Sequence, residues 1–211
     1  MTEKTILCFG DSNTWGADPA GGPRFDRSIR WPCILQQELG DAFHVVEEGL
    51  CGRTTVWDDP IEGHKNGLRQ LVPILKSHEP LELVIVMLGT NDLKNRFAVS
   101  ALDVANSAWA LVRAARSCTD PATGKAPEIL VVCPPPFAPL APTAFKDLFV
   151  GGEEKSHRLA EAFAAVAEQR GFRLFQAGGV IQSSAIDGIH FEAAEHLKLG
   201  QALAAEVRNM F

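Results

Sequence analysis

Four short segments carry residue types that could perform acyl transfer. The first is Gly10-Asp11-Ser12-Asn13-Thr14, where a tight turn into a helix would lift the Ser12 hydroxyl to a helix start that favours developing negative charge. A serine hydroxyl ionises far above neutrality and needs a base. Asp187-Gly188-Ile189-His190-Phe191 supplies one, because the three-residue spacing lets the Asp187 carboxylate fold back and orient the His190 imidazole. The remaining need is for donors aimed at an oxyanion. Gly52, within the segment 47–54, could bring its backbone N–H close to a ligand with no Cβ in the way, and the Asn91 side-chain amide follows Leu88-Gly89-Thr90. Taken singly, each segment has a plainer reading: Ser12 as a helix cap, Asp187 as a cap beside a surface histidine, Gly52 as an ordinary turn residue, and Asn91-Asp92 as a capping pair. Together, in the order Ser, Asp, His with two donor loops between, they complete a site.

Such a site needs a scaffold that gathers distant segments. Apolar runs bounded by Gly, Pro or polar residues predict strands over residues 4–10, 43–48, 83–88, 129–133 and 172–176. Helical patterns lie between and after them, over 32–39, 66–77, 102–118, 145–170 and 192–210. This alternation predicts an α/β fold, a three-layer α/β/α sandwich on a five-stranded parallel sheet, within a single domain spanning residues 1–211. Each candidate segment then falls at or beyond the carboxyl end of a strand, where open α/β sheets hold their ligands. Residues 18–30 and the proline-rich run 134–142 are expected to be loops.

These blocks in this order resemble the SGNH hydrolase superfamily, also called GDSL-type esterases, over residues 10–191. The stretches 6–12, 47–50, 53–55, 87–92 and 187–191 are more closely similar to the small bacterial arylesterases. The resemblance implies a flavodoxin-like strand order, Ser12 as nucleophile with Asp187 and His190 completing a triad, and an oxyanion hole formed by Ser12, Gly52 and Asn91. It also implies a pocket contributed by Asp11, Asn13, Trp15, Thr90, Lys94, Phe145, Leu148, Phe149 and Ile189, with the 134–142 loop in its wall and in a subunit contact. The implied activity is hydrolysis of short-chain acyl and aryl esters through a covalent acyl-enzyme, with acyl transfer to alcohols as a second outcome. No cofactor is implied. The implied assembly is a homo-oligomer, an octamer among the forms it allows. Asn13 departs from the leucine usual in the family and sets a polar group beside the nucleophile. Carbohydrate deacetylation and thioester cleavage fit the same residues.

Composition narrows the alternatives. The 211 residues carry 20 Lys+Arg and 26 Asp+Glu, a net charge of -6, with no long basic run, so neither nucleic acid nor a membrane surface is an expected partner. No apolar stretch approaches the roughly 20 residues of a membrane span, and the N-terminus lacks a signal-peptide pattern. With five irregularly spaced cysteines, this points to a cytoplasmic, reducing setting in which Cys51 is a packing residue. The G-x-S-x-G elbow is absent. No metal site is expected either, because His190-Phe191-Glu192 lacks a P-C-x-x-C partner and Glu195-His196 lacks the first histidine of H-x-x-E-H. The other histidines (His44, His64, His78, His157 and His196) read as surface or capped core residues. The acidic pairs Glu47-Glu48, Asp58-Asp59 and Glu153-Glu154 read as solvated. A non-enzymatic flavodoxin-like binding module is the alternative from a different class. Such a phosphate cradle would need a longer Gly/Ser/Thr-rich turn after the first strand and would leave Asp187 and His190 without a role.

Overall fold

Side chains alternate along each strand, and here both faces are apolar. In the first strand, β1 (Lys4–Gly10), Ile6 and Cys8 enter one core while Leu7 and Phe9 enter the other. The same division runs through β3 (Leu83–Met87) and β4 (Glu128–Cys133), whose interiors are almost entirely buried. The computed structural model describes residues 4–140 and 145–211. With β2 (Phe43–Gly49) and β5 (Arg173–Gln176), the strands form one parallel sheet in the order β2-β1-β3-β4-β5, so the expected α/β sandwich is observed.

Helices cover both faces. A four-residue turn, α1 (Ser12–Trp15), follows β1 directly. On one face, α2 (Trp31–Leu39) and the C-terminal α8 (Ala193–Met210) pack Trp31, Leu35, Leu199 and Leu203 over Ile6, Ile85 and Leu130. On the other, α3 (Gly67–Ser77), α4 (Ala101–Arg116) and α7 (Leu159–Arg170) bring Leu71, Val104, Leu111 and Phe163 onto Leu7, Val84 and Val131. Helix α4 opens on a capping box: Ser100 accepts from the Asp103 N–H while Asp103 reaches back to the Ser100 N–H.

The helix expected over 145–170 is three pieces: α5 (Phe145–Leu148), α6 (Gly152–Ser156) and α7. Gly151 takes a left-handed backbone, φ 72°, which ends the first turn, and the chain is re-aimed again at His157 and Arg158 before α7 begins. The expected loop over 134–142 has no regular structure through residue 140; its last two positions lie outside the described residues. Among the described residues no helix is long and apolar enough to cross a membrane.

Candidate active site

All the candidate segments reach the carboxyl edge of the sheet. The β1 exit turns at once into α1, where the Asp11 carboxylate accepts the Asn13 N–H at 3.0 Å and leaves Ser12 at the first helical position. From the other end of the chain, the loop before α8 brings in the imidazole. His190 Nε2 lies 2.9 Å from Ser12 Oγ, and His190 Nδ1 lies 2.5 Å from Asp187 Oδ2.

The local sequence explains how that loop holds its shape. Asp187 Oδ1 accepts two backbone N–H groups, from Ile189 and His190, each at 2.9 Å, so the carboxylate is fixed by its own turn before it meets the ring. Gly188 adopts φ 86°, and a Cβ there would fall 2.7 Å from Leu140 Cδ2 and 3.0 Å from the Ala138 carbonyl. The Ala138 N–H donates to the Gly188 carbonyl, and the Ser184 N–H donates to that of His190. Burial raises the Asp187 pKa, but the His190 hydrogen bond and the two backbone donors outweigh it, and the carboxyl lies below its ordinary range. It is an anion at neutral pH, suited to hold Nδ1 as a donor and leave Nε2 able to accept a proton.

Two further loops close over Ser12. After β2, the Arg53 N–H donates to the Leu50 carbonyl, closing a turn in which Gly52 takes φ 81°. After β3, Asn91 Nδ2 donates to the Arg53 carbonyl at 3.2 Å and to Asp11 Oδ2 at 3.4 Å. Asp92, fully buried, accepts the Thr55 N–H and hydroxyl and so ties these loops together. Burial pushes the carboxyls of both Asp11 and Asp92 up to about 6.

Ser12, Gly52, Asn91 and His190 all line one cavity of about 240 Å³. Its apolar wall is Phe145, Leu148, Phe149 and Ile189, with Phe145 edge-on to the His190 ring at 5.7 Å. Lys94 also lines it, as expected from the sequence. Asp11, Asn13, Trp15 and Thr90 do not. Asp11 is spent capping α1 and meeting Asn91. The Asn13 amide turns to the Ile189 carbonyl, Trp15 lies under the Arg24 guanidinium, and Thr90 precedes a short 3₁₀ turn. Residues 134–140 of the proline-rich loop also stay out of the lining; Phe137 instead backs Phe149 from behind, edge-on at 5.3 Å.

Three lining residues were not foreseen: Ala17, Cys51 and Glu62. Cys51 borders the cavity rather than only packing, with its thiol pKa raised by burial and by the Asp11 charge. Glu62 Oε1 meets Lys94 Nζ at 2.5 Å, and Asp59, expected to be solvated, is buried against Arg96 Nη1 at 2.9 Å. Glu47, also expected to be solvated, is paired with Arg30 at 2.7 Å. No sequence periodicity marks the 50–66 loop that carries Cys51, Asp59 and Glu62.

A parallel α/β/α sheet that carries a hydrogen-bonded Ser–His–Asp chain at its strand exits, with the Gly52 and Asn91 loops beside the serine, has the architecture of a hydrolase of the SGNH class. The model of the GDSL-like lipase/acylhydrolase family matches residues 8–197. Among solved structures, an aryl esterase from M. smegmatis is 44% identical with a TM-score of 0.93, over 99% of this chain and 100% of that one. A carbohydrate acetylesterase from Sinorhizobium meliloti is 41% identical with a TM-score of 0.94, over the same shares. Among curated proteins none matches at a significant level. The chain belongs to the GDSL-like lipase/acylhydrolase family and is a carboxylic ester hydrolase.

Proposed function

We propose that the chain hydrolyses short-chain acyl and aryl esters through an acyl-enzyme on Ser12. His190 Nε2 takes the hydroxyl proton as Ser12 Oγ bonds to the ester carbonyl carbon, and Asp187 stabilises the imidazolium. The oxyanion accepts from the Ser12 and Gly52 backbone N–H groups and from Asn91 Nδ2. The imidazolium then protonates the departing alcohol. In the second half, His190 deprotonates water, which attacks the acyl carbon and frees Ser12. An alcohol in place of that water gives acyl transfer.

The observation that carries this reading is the unbroken relay from Ser12 Oγ through the His190 ring to Asp187, at 2.9 and 2.5 Å. The cavity of about 240 Å³ and its Phe145–Leu148–Phe149 wall support small, partly apolar esters. Ser12→Ala is expected to lose turnover of p-nitrophenyl acetate and labelling by a serine-directed phosphonate while the melting temperature is kept. Labelling that persists in that variant moves the nucleophile elsewhere.

A sugar acetate is the second reading, favoured by the charged Glu62–Lys94 pair in the cavity lining and by similarity to the S. meliloti acetylesterase. Aryl, sugar-acetyl and acyl-thioester substrates compared on the wild-type enzyme decide between the readings. The unpaired state of all five cysteines supports a cytoplasmic location, which cell fractionation tests. The family resemblance supports a single catalytic domain working in a homo-oligomer. A monomer mass by light scattering refuses the assembly.

A further inference from the structure

Three separate strand exits must meet within hydrogen-bond tolerance to make the oxyanion hole: residues 10–12 after β1, residues 50–54 after β2 and residues 89–92 after β3. One residue touches all of them. Arg53 Nη1 donates to the Gly10 carbonyl at 2.7 Å and also to the Glu48 carbonyl, so one guanidinium nitrogen joins the ends of β1 and β2. Arg53 Nε donates to Gln70 Oε1 at 3.0 Å, and the guanidinium carbon sits 4.0 Å from the centroid of the Phe9 ring. The backbone of the same residue serves the other two loops. Its N–H closes the turn that presents Gly52, and its carbonyl accepts from Asn91 Nδ2 at 3.2 Å.

A buried guanidinium is costly to keep. Arg53 is 3% exposed, and among the described residues it makes no ion pair; its partners are carbonyl oxygens, an amide oxygen and an aromatic face. Burial brings its pKa down to about 10, which leaves it charged at neutral pH. If this residue only joined β1 to β2, the ladder of seven paired positions between those strands would already do so. Its distinctive reach is toward the three loops. Arg53 does not line the cavity, so it acts on the reaction through other groups.

We propose that Arg53 is the positioning residue of the oxyanion hole, its guanidinium anchoring the β1 and β2 exits while its own backbone orients Gly52 and Asn91. This rests on the oxyanion roles given to Gly52 and Asn91 above. A planar guanidinium can bridge two carbonyls while it stacks on Phe9; an ammonium is a point charge and cannot reproduce that fork. Arg53→Lys therefore keeps the charge and loses the geometry. Because only transition-state stabilisation suffers, kcat falls and KM does not.

The test measures p-nitrophenyl acetate hydrolysis per active site titrated to its end point with a serine-directed phosphonate, on wild type, Arg53→Lys, Asn91→Ala and the double variant, each with its melting temperature. Removing one oxyanion donor costs about 10²–10³ in kcat by precedent, so loosening the hole is expected to cost roughly 10–100-fold in Arg53→Lys, with KM within about twofold. In the double variant the losses are expected to be less than multiplicative, because both changes act on one amide. The proposal is overturned if Arg53→Lys keeps kcat within about twofold of wild type, or if its loss appears only as fewer titratable sites. It also fails if the two losses multiply. Should Asn91→Ala itself retain full kcat, the oxyanion reading fails and this proposal with it; a deficient Asn91→Ala beside an unaffected Arg53→Lys removes only the proposal. If Arg53→Lys does not fold, Gln70→Ala releases the Nε anchor from outside the site. A several-fold kcat loss at constant KM then supports the proposal, and unchanged kcat refutes it.

Discussion

His190 Nε2 stands 2.9 Å from Ser12 Oγ although 178 residues separate the two along the chain. The contact joins the exit of β1 to the loop before the last helix, and both ends are held independently of it. Ser12 opens a helical turn capped by Asp11, and the loop of His190 is pinned through the carbonyls of Gly188 and His190. A second link runs beside it, from the Asn13 amide to the Ile189 carbonyl at 3.4 Å. The serine and the imidazole therefore meet because two rigid segments are docked, and the hydrogen bond between them can exchange its proton without carrying the loop's stability.

Asp187→Asn tests the direction of that relay. The side-chain carbonyl oxygen kept by the substitution can still accept the Ile189 and His190 N–H groups, so the loop survives. The new amide nitrogen, however, would donate to His190 Nδ1 and leave the proton on Nε2, the nitrogen that must accept from Ser12. A kcat loss of about 10⁴ is expected from the corresponding tautomer error in serine proteases, with the melting temperature little changed. Steady-state kinetics check it, and a loss under about tenfold would remove Asp187 from its orienting role.

Phe145→Ala tests what limits the acyl or aryl group. Phe145 is half-buried, lines the cavity, and meets both the His190 ring at 5.7 Å and Phe149 at 6.1 Å. Truncation opens the wall next to the imidazole. The ratio of kcat/KM for p-nitrophenyl hexanoate over acetate is expected to rise by about 10-fold, the equivalent of roughly two methylene groups accommodated. An unchanged ratio would mean the chain length is limited on another side of the cavity, toward Glu62 and Lys94.

The strands and the meeting of Ser12 with His190 and Asp187 are legible in the amino-acid sequence because each is signalled locally: β1 and β3 by runs that are apolar on both faces, Ser12 and His190 by short blocks at strand exits. The pocket is less so. Asp11, Asn13 and Thr90 are neighbours of Ser12 and Asn91 along the chain, but successive side chains in a helical turn point about 100° apart, and these three face the protein instead of the cavity. Glu62, which the sequence does not single out, and Cys51, which it reads as packing, join the lining for the opposite reason. They enter the lining from an irregular loop whose shape depends on tertiary bonds such as Asp59 to Arg96 and Lys65 Nζ to the Cys51 carbonyl. The break at Gly151 belongs with these, since apolar spacing through 145–170 continues across it while the backbone does not.

His196, buried in α8, makes the stability depend on pH. Its ring is fully buried between Phe25 and Phe191, Nδ1 accepts the Trp31 N–H at 3.3 Å, and Nε2 is buried without a hydrogen-bond partner among the described residues. Burial first, then electrostatic coupling to His190 and Arg30, lowers its pKa to about 4, against about 6.5 when unfolded. Between those values the unfolded chain takes a proton that the folded chain refuses. The contribution to stability is therefore complete above about pH 6.5 and is lost as pH falls toward 4, on the order of 3 kcal/mol in all. Asp11 and Asp92, raised to about 6, act with the opposite sign over the overlapping range, since their folded forms take up protons first. Wild-type stability alone therefore hides the effect, and the difference from His196→Gln isolates it. The glutamine can still accept from Trp31 but does not titrate, so the variant should be less stable than wild type at pH 7 and gain on it steadily between pH 6.5 and 4. Urea midpoints at several pH values measure that difference, and a gap that stays constant across the window would show that His196 is protonated equally in the folded and unfolded chains.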